Sequence, residues 1–384
     1  MPDLDLVVLG GGLAGLSLAE RLAAAGAQAP RTVVLEARAD YADDRTWCFW
    51  RHEPHRYEEL VAAVWRRCAV QRGGHGAVFD CTATPYQMIP AGAFYGHARG
   101  ALAANPRVRL ELDCAVDAEP SPHGAGWRVV VADGRVFEAR HVVDTRPPQV
   151  RPESILWQSF VGDVVTTGFD AFDPGVAVLM DFEDASDLGV QFDYVLPFSP
   201  RQALVETTVF GPRPLGPDAL GERHAARVRA RLGDGRYAIE RSEHGVLPMG
   251  HAQPSEPAGW VRAGLFGGGA RASTGYAFLR IQTWADACAA ELLRGSGPCA
   301  ATADPWLRRA MDEVFLRVLR AWPDRGGALL VRLFERADAA RVVRFLGDRS
   351  GLRDALAVVG ALPPGPFLIQ ALCAALRTPC RGTA

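Results

Sequence analysis

Glu206 is the only acid in the run Ala203-Leu204-Val205-Glu206-Thr207-Thr208-Val209-Phe210, where its neighbours are apolar or hydroxylic. By strand alternation it shares a face with Leu204, Thr208 and Phe210, while Val205, Thr207 and Val209 point the other way. A carboxyl removed from water is harder to ionise and can deliver a proton near neutral pH. At the surface or in a salt bridge the same residue would be inert, and the run itself leaves both readings open. Asp181, in Met180-Asp181-Phe182, is a second carboxyl suited either to chemistry or to a structural hydrogen bond. Aromatic rings cluster in two segments, Trp47, Phe49 and Trp50 in one and Phe192 and Tyr194 in the other. Their faces attract a cation through the ring quadrupole, or they simply fill a core.

Several chemistries are excluded. The 42 basic residues are all arginine, which removes Schiff-base catalysis and the lysine of a phosphate loop. The nine histidines show neither HxxxH nor HExxH spacing, so no metal site is expected. A net charge of −2 gives no bulk attraction to nucleic acid. The eight cysteines (Cys48, Cys68, Cys81, Cys114, Cys288, Cys299, Cys373 and Cys380) form no CxxC pair, which predicts reduced thiols in a cytosolic compartment. No signal-peptide pattern and no uninterrupted apolar stretch of about 18 residues is seen, so neither export nor a spanning helix is expected.

These candidates need a frame to hold them. The apolar strand Leu4 to Leu9 runs into Gly10-Gly11-Gly12-Leu13-Ala14-Gly15, followed by Leu16, Leu18, Ala19 and Leu22 at helical spacing. A second strand, Thr32 to Leu35, ends at Glu36. This order of strand, glycine turn, helix, strand and acid is a dinucleotide site. Gly10 makes the tight turn, Gly12 admits the pyrophosphate and Gly15 lets helix and strand pack closely. Leu13 and Ala14 open a helix whose free N–H groups suit phosphates. Glu36 is placed to bond the ribose hydroxyls, favouring FAD or NAD over NADP.

An ordinary NAD domain would continue with alternating helices and strands, but residues 40–81 contain no clean βαβ repeat. Strands are expected at Val108–Leu112, in a hairpin turning at Asp133-Gly134, and at His141–Arg146. Far downstream, Trp260-Val261-Arg262-Ala263-Gly264-Leu265-Phe266-Gly267-Gly268-Gly269 reads as a second flavin-contacting strand and turn, with a helix from roughly Tyr276 to Leu293. Gly267, Gly268, Thr274 and Gly275 are placed in the flavin loop, where backbone must approach the cofactor. The expected architecture is α/β. A discontinuous Rossmann-like FAD-binding domain (1–150 and 245–300), of the two-dinucleotide-binding-domain flavoprotein type, carries an inserted antiparallel-sheet substrate domain (151–244). A helical C-terminal region (301–384) follows, in which Pro323 and Gly326-Gly327 read as breaks.

Three motifs together resemble the bacterial lycopene cyclases of carotenoid biosynthesis. They are Asp44-Arg45-Thr46-Trp47-Cys48-Phe49-Trp50; Met180-Asp181-Phe182 with Gln191-Phe192-Asp193-Tyr194 and Leu204-Val205-Glu206-Thr207-Thr208; and Arg271-Ala272-Ser273-Thr274-Gly275-Tyr276. The likeness runs from the glycine turn to about residue 370. Two departures are Ala272, where many relatives have proline, and Pro147-Pro148 after Arg146, where glycines are common.

The resemblance implies a non-redox cyclisation of the linear ends of lycopene or a related carotenoid, assisted by reduced FAD, with NAD(P)H needed only to reduce the flavin. It makes Glu206 the leading acid, with Asp181 as a second carboxyl. Trp47, Phe49, Trp50, Phe192 and Tyr194 become pocket residues. Asp44 and Arg45 contact the flavin side or pair with each other. The arginine-flanked apolar segments after residue 305 either cap the flavin domain or rest on a membrane surface. The apolar substrate favours a peripheral site on the inner face of the cell membrane. Competing readings are an FAD monooxygenase, an isoprenoid reductase on an apolar substrate, and a carotenoid-binding flavoprotein without catalysis.

Overall fold

The structure, a computed structural model, describes residues 3–122, 124, 126–149, 152–182, 186–250 and 256–376. Cys380 and the end of the expected C-terminal region therefore lie outside the described residues.

The N-terminal strand Leu4–Leu9 pairs in parallel with Thr32–Leu35 on one side and with Val136–Asp144 on the other. Val108–Glu111 extends the sheet beyond Thr32–Leu35, again in parallel. The expected hairpin at Asp133-Gly134 is present, joining Trp127–Val131 to Val136–Asp144 with Gly134 at φ +88°. Its second arm is longer than expected. One nine-residue strand replaces the two read from sequence, because its first half pairs antiparallel with Trp127–Val130 and its second half pairs parallel with Leu4–Leu9. The distant segment Trp260–Arg262 adds in parallel alongside Val142–Asp144, so the first sheet is built from separated parts of the chain.

A second seven-stranded sheet holds the inserted region. Its strands Val176–Phe182, Val190–Ser199 and Gln202–Gly211 match the expected runs. Leu156–Thr167 and Tyr237–Met249 were not read from the sequence, and they pair with each other. The sheet also reaches outside 151–244. The hairpin Arg67–Arg72/His75–Asp80 joins through a parallel pairing of Arg67–Arg72 with Val176–Phe182, which covers an edge that would otherwise be unpaired. The helix Pro217–Leu232 packs on one face of this sheet.

Among the described residues, five helices follow residue 305: Trp306–Ala321, Pro323–Arg336, Ala339–Leu346, Leu352–Ala361 and Pro364–Ala375. Pro323 opens the second of them at its first turn, where the missing N–H costs nothing. Gly326 and Gly327, expected to break the helix, lie inside it. A Cβ at Gly326 would fall 2.5 Å from Val190, and one at Gly327 2.9 Å from Phe182. The pair is there for close helix-to-sheet contact. Cys48, Cys68, Cys81, Cys114, Cys288 and Cys299 are free thiols, whereas Cys373 is disulfide-bonded, a departure from the expected reduced state. Among the described residues no single helix is long and apolar enough to cross a membrane.

Candidate active site

The glycine turn is shaped by close backbone contacts. Gly10 has φ +96°, and a Cβ at Gly15 would sit 2.0 Å from the Gly10 carbonyl oxygen, so only glycine lets the helix start this near the strand. At Gly12 the opposite holds: an added Cβ would meet nothing within 4 Å. The helix Leu13–Ala24 has no side-chain cap and no acid in its first turn, leaving its N-terminal N–H groups available. Glu36 closes the far side, its Oε2 accepting the Gly11 N–H at 2.8 Å. Arg38 bonds Glu36 Oε1 at 3.1 Å and Asp44 Oδ2 at 3.1 Å. Arg45 donates to the Asp44 carbonyl at 2.5 Å.

Gly12, Leu13, Ala14, Asp44, Arg45, Thr274 and Gly275 line one cavity of about 490 Å³. So do Trp47, Phe192, Tyr194 and Glu206, which brings the dinucleotide turn and the leading acid to a common space. Gly264, Leu265 and Phe266 supply the wall expected from Gly267 and Gly268; Gly268 instead faces a neighbouring cleft, as do Phe49 and Trp50. Phe49 stacks on Phe278 with centroids 4.8 Å apart, and Trp50 is buried in the core beside Tyr86 and Phe79.

The second sheet sets out the chemistry in rows. Gly162 pairs with Glu206 on one side and with Glu243 on the other, and Tyr194 lies opposite Glu206. The row Glu243, Gly162, Glu206, Tyr194 therefore crosses the sheet, and its three side chains line the cavity. Glu206 is 8% exposed, and its Oε1 accepts one hydrogen bond, from Thr208 Oγ1 at 2.6 Å. Among the described residues no cation pairs with it. Burial and the charge of Glu243 push its carboxyl up to about 8, with Thr208 pulling the other way.

Glu243 was not singled out from sequence. Its Oε2 accepts from Arg241 Nη1 at 2.6 Å and from Thr46 Oγ1 at 2.8 Å. Burial raises its carboxyl, opposed by Arg241, Thr46 and Arg45. Tyr86 was missed as well, and Tyr276 was quoted in a motif without a role. Their hydroxyls lie 3.3 Å apart, and Tyr86 Oη is 2.9 Å from Tyr194 Oη. Burial pushes all three phenols up, so they stay neutral.

Asp181 is not brought to this cavity. Met180 faces it, and Asp181 turns to the helix side, where Arg231 Nη2 lies 2.6 Å from its Oδ2. A second, apolar cavity of about 410 Å³ shares Leu179, Met180, Tyr194, Phe210, Thr274 and Tyr276 with the first. It runs out between the last two described helices, past Val358, Leu362, Pro363 and Phe367. The loop at Arg271–Tyr276 is anchored to that helical region. Arg271 is 1% exposed and pairs with Asp312 at 3.0 Å, and Ser273 donates to the same carboxylate at 2.8 Å.

A glycine-turn dinucleotide fold with a sheet-roofed, largely apolar cavity defines a flavoprotein-type enzyme. The fold is shared, at TM-score 0.58 and 12% identity over 95% of this chain and 98% of the other, with a geranylgeranyl bacteriochlorophyll reductase-like protein from Thermoplasma acidophilum. It is also shared, at TM-score 0.59 and 14% identity over 98% of both chains, with p-nitrophenol 4-monooxygenase from Pseudomonas putida. The family model described as lycopene cyclase protein matches residues 5–372. A lycopene beta-cyclase from Paracoccus sp. is 29% identical over 94% of this chain and 95% of its own length. The chain belongs to the lycopene cyclase family and is an enzyme of that type.

Proposed function

We propose that this enzyme closes the linear ends of lycopene into β-rings, with Glu206 as the proton donor. The observation that carries the reading is a carboxyl raised to about 8, facing no cation, in a cavity continuous with an apolar one. Glu206 transfers its proton to the terminal double bond, leaving a tertiary cation. The next double bond attacks that cation and forms the ring carbon–carbon bond; loss of a ring proton then restores neutrality. Neutral Tyr194, Phe192 and Trp47 offer ring faces along this path. Nothing is oxidised or reduced.

The residues present fit FAD. Gly12 leaves room that any side chain would fill, and Leu13 and Ala14 present uncapped N–H groups to a pyrophosphate. Glu36 is placed for the ribose. The buried Gln158 Oε1, on the cavity wall beside Gly275, has no hydrogen-bond partner among the described residues and suits a donor on the bound ring. When bound and reduced by NAD(P)H, the flavin supplies an electron-rich neighbour for the cation with no net redox change.

The test is product analysis after expression in lycopene-accumulating bacteria, wild type beside Glu206→Gln. Cyclic carotenes of unchanged mass from wild type alone are expected. Intact lycopene from a folded, flavin-loaded wild type would overturn the reading in favour of oxygenase or reductase chemistry.

The substrate is membrane-dissolved, and we place the enzyme as a cytoplasmic protein resting on the inner face of the cell membrane. Val359 and Leu368 line the apolar cavity, Leu356 and Leu372 lie on the same two helices, and all four are 53–64% exposed. Replacing Leu368 and Leu372 with Asp is expected to abolish co-sedimentation with phospholipid vesicles while leaving flavin loading intact. Unchanged co-sedimentation, or wild-type protein that ignores vesicles, would refute the placement.

A further inference from the structure

We infer that Glu243 is a second catalytic carboxyl of this cavity, the base that takes the ring proton after Glu206 has given one; the assignment rests on the cyclase reading above. The two acids lie on the strands either side of the Gly162 strand, which places their Cα atoms about 10 Å apart, two strand spacings. Gly162 keeps the space between them clear: a Cβ there would lie 3.1 Å from the Glu206 Cβ. Both side chains face the cavity, so a closing ring lies between a donor on one side and an acceptor on the other.

Their partners divide the two roles. Glu243 is 5% exposed and is fastened through Oε2 alone, by Arg241 and Thr46. Among the described residues its Oε1 accepts no hydrogen bond. Arg241 is itself fixed to the Asp43 carbonyl at 3.0 Å and to Thr46 Oγ1 at 3.0 Å. When two neighbouring carboxyls share one proton, the charge settles on the acid beside a cation and the proton on the other. Glu243 is thus the anion and Glu206 the acid. In the forward step the Glu206 O–H bond breaks and a C–H bond forms. After ring closure a ring C–H bond breaks, its electron pair becomes the ring double bond, and the proton goes to Glu243 Oε1. Release of that proton to solvent and uptake of a solvent proton by the Glu206 carboxylate reset the pair. The substrate gains one proton and loses one. Because Glu243 is held in place, it selects which ring proton leaves and so where the double bond falls.

The experiment uses flavin-loaded wild type, Glu206→Gln, Glu243→Gln and Glu243→Asp with dispersed lycopene in D₂O. Wild type is expected to form β-rings carrying one deuterium each. Glu243→Gln is expected to keep its flavin spectrum and lose roughly 10²- to 10⁴-fold in turnover. Its stalled cations should return deuterated lycopene or rings with a displaced double bond. Glu206→Gln should put deuterium nowhere. A Glu243→Gln rate within about threefold of wild type with the same ring overturns the assignment. So does a slow variant whose residual ring is unchanged and whose recovered lycopene carries no deuterium, since that is a structural defect. Should Glu243→Gln fail to fold, Glu243→Asp decides: slower closure with mixed ring types supports the base, and wild-type rate and ring overturn it. A wild type that forms no ring at all would instead break the cyclase reading.

Discussion

The strand Gln202–Gly211 has two buried faces that treat their acids in opposite ways. On the helix side, Thr207 bonds Asp193 Oδ1 at 3.2 Å and His224 Nδ1 at 3.1 Å. His224 Nε2 lies 3.1 Å from Asp163 Oδ2, Arg227 lies 2.9 Å from Asp193, and Arg231 lies 2.6 Å from Asp181. Burial alone would raise the Asp163 carboxyl, but His224 and Ser242 more than offset it and hold it below its usual range. On the cavity side, one residue away, Glu206 meets a hydroxyl and no cation. Burial is common to both faces, so burial does not make a catalytic acid. A withheld counter-charge does. The helix-side network fixes Pro217–Leu232 against the sheet, and the cavity side keeps one carboxyl neutral at some cost in stability.

The largest test of that contrast is Glu206→Gln, which keeps shape and removes the proton. Turnover is expected to fall roughly 10²- to 10⁴-fold with the flavin spectrum and melting temperature retained. A variant that still cyclises at the wild-type rate would erase the distinction between the faces. Asp181→Asn probes the other side. Ring formation should stay within about twofold of wild type. Stability should drop by about 1 kcal/mol on denaturant titration, because its pair with Arg231 is partly exposed. A large loss of activity there would mean that the helix-side acids reach the chemistry after all.

The sequence made the N-terminal turn legible because each glycine there answers a backbone contact, and strand, helix and Glu36 follow at fixed distances. Glu206 was legible because it interrupts an apolar run. Glu243 was not. Its strand begins Tyr237-Ala238-Ile239-Glu240-Arg241-Ser242, charged and without a clean alternation, because its edge position leaves Ile239 and Glu240 exposed. Only pairing with Gly162, 81 positions away, brings Glu243 beside Glu206. Asp181 misled for a related reason. Val176–Phe182 carries an irregularity between Val178 and Asp181, and partners on both sides, so alternation alone does not say which face Asp181 takes. Gly326-Gly327 reads locally as a break, and only Val190 and Phe182 across the interface show otherwise.

Thr208 offers the finest adjustment. Its hydroxyl donates to Glu206 Oε1, a bond that favours the ionised carboxyl and so lowers its pKa from where burial and Glu243 alone would set it. An acid works while protonated, so turnover should fall as pH rises through about 8. The other titratable groups nearby leave that limb to Glu206. Tyr86, Tyr194, Tyr276 and Cys48 are all pushed upward by burial, and Glu243 is the carboxyl fastened to Arg241. The same raised pKa works against folding: the neutral carboxyl is accommodated below the ordinary range, and stability is lost as pH rises from there through about 8. Thr208→Val keeps the shape and removes the donor. The alkaline limb should then move up by roughly half to one pH unit, a small free energy for one hydrogen bond to a charge. A limb that moves down would mean that the hydroxyl instead stabilises the protonated acid. A limb that does not move would mean that a group other than Glu206 governs the alkaline fall.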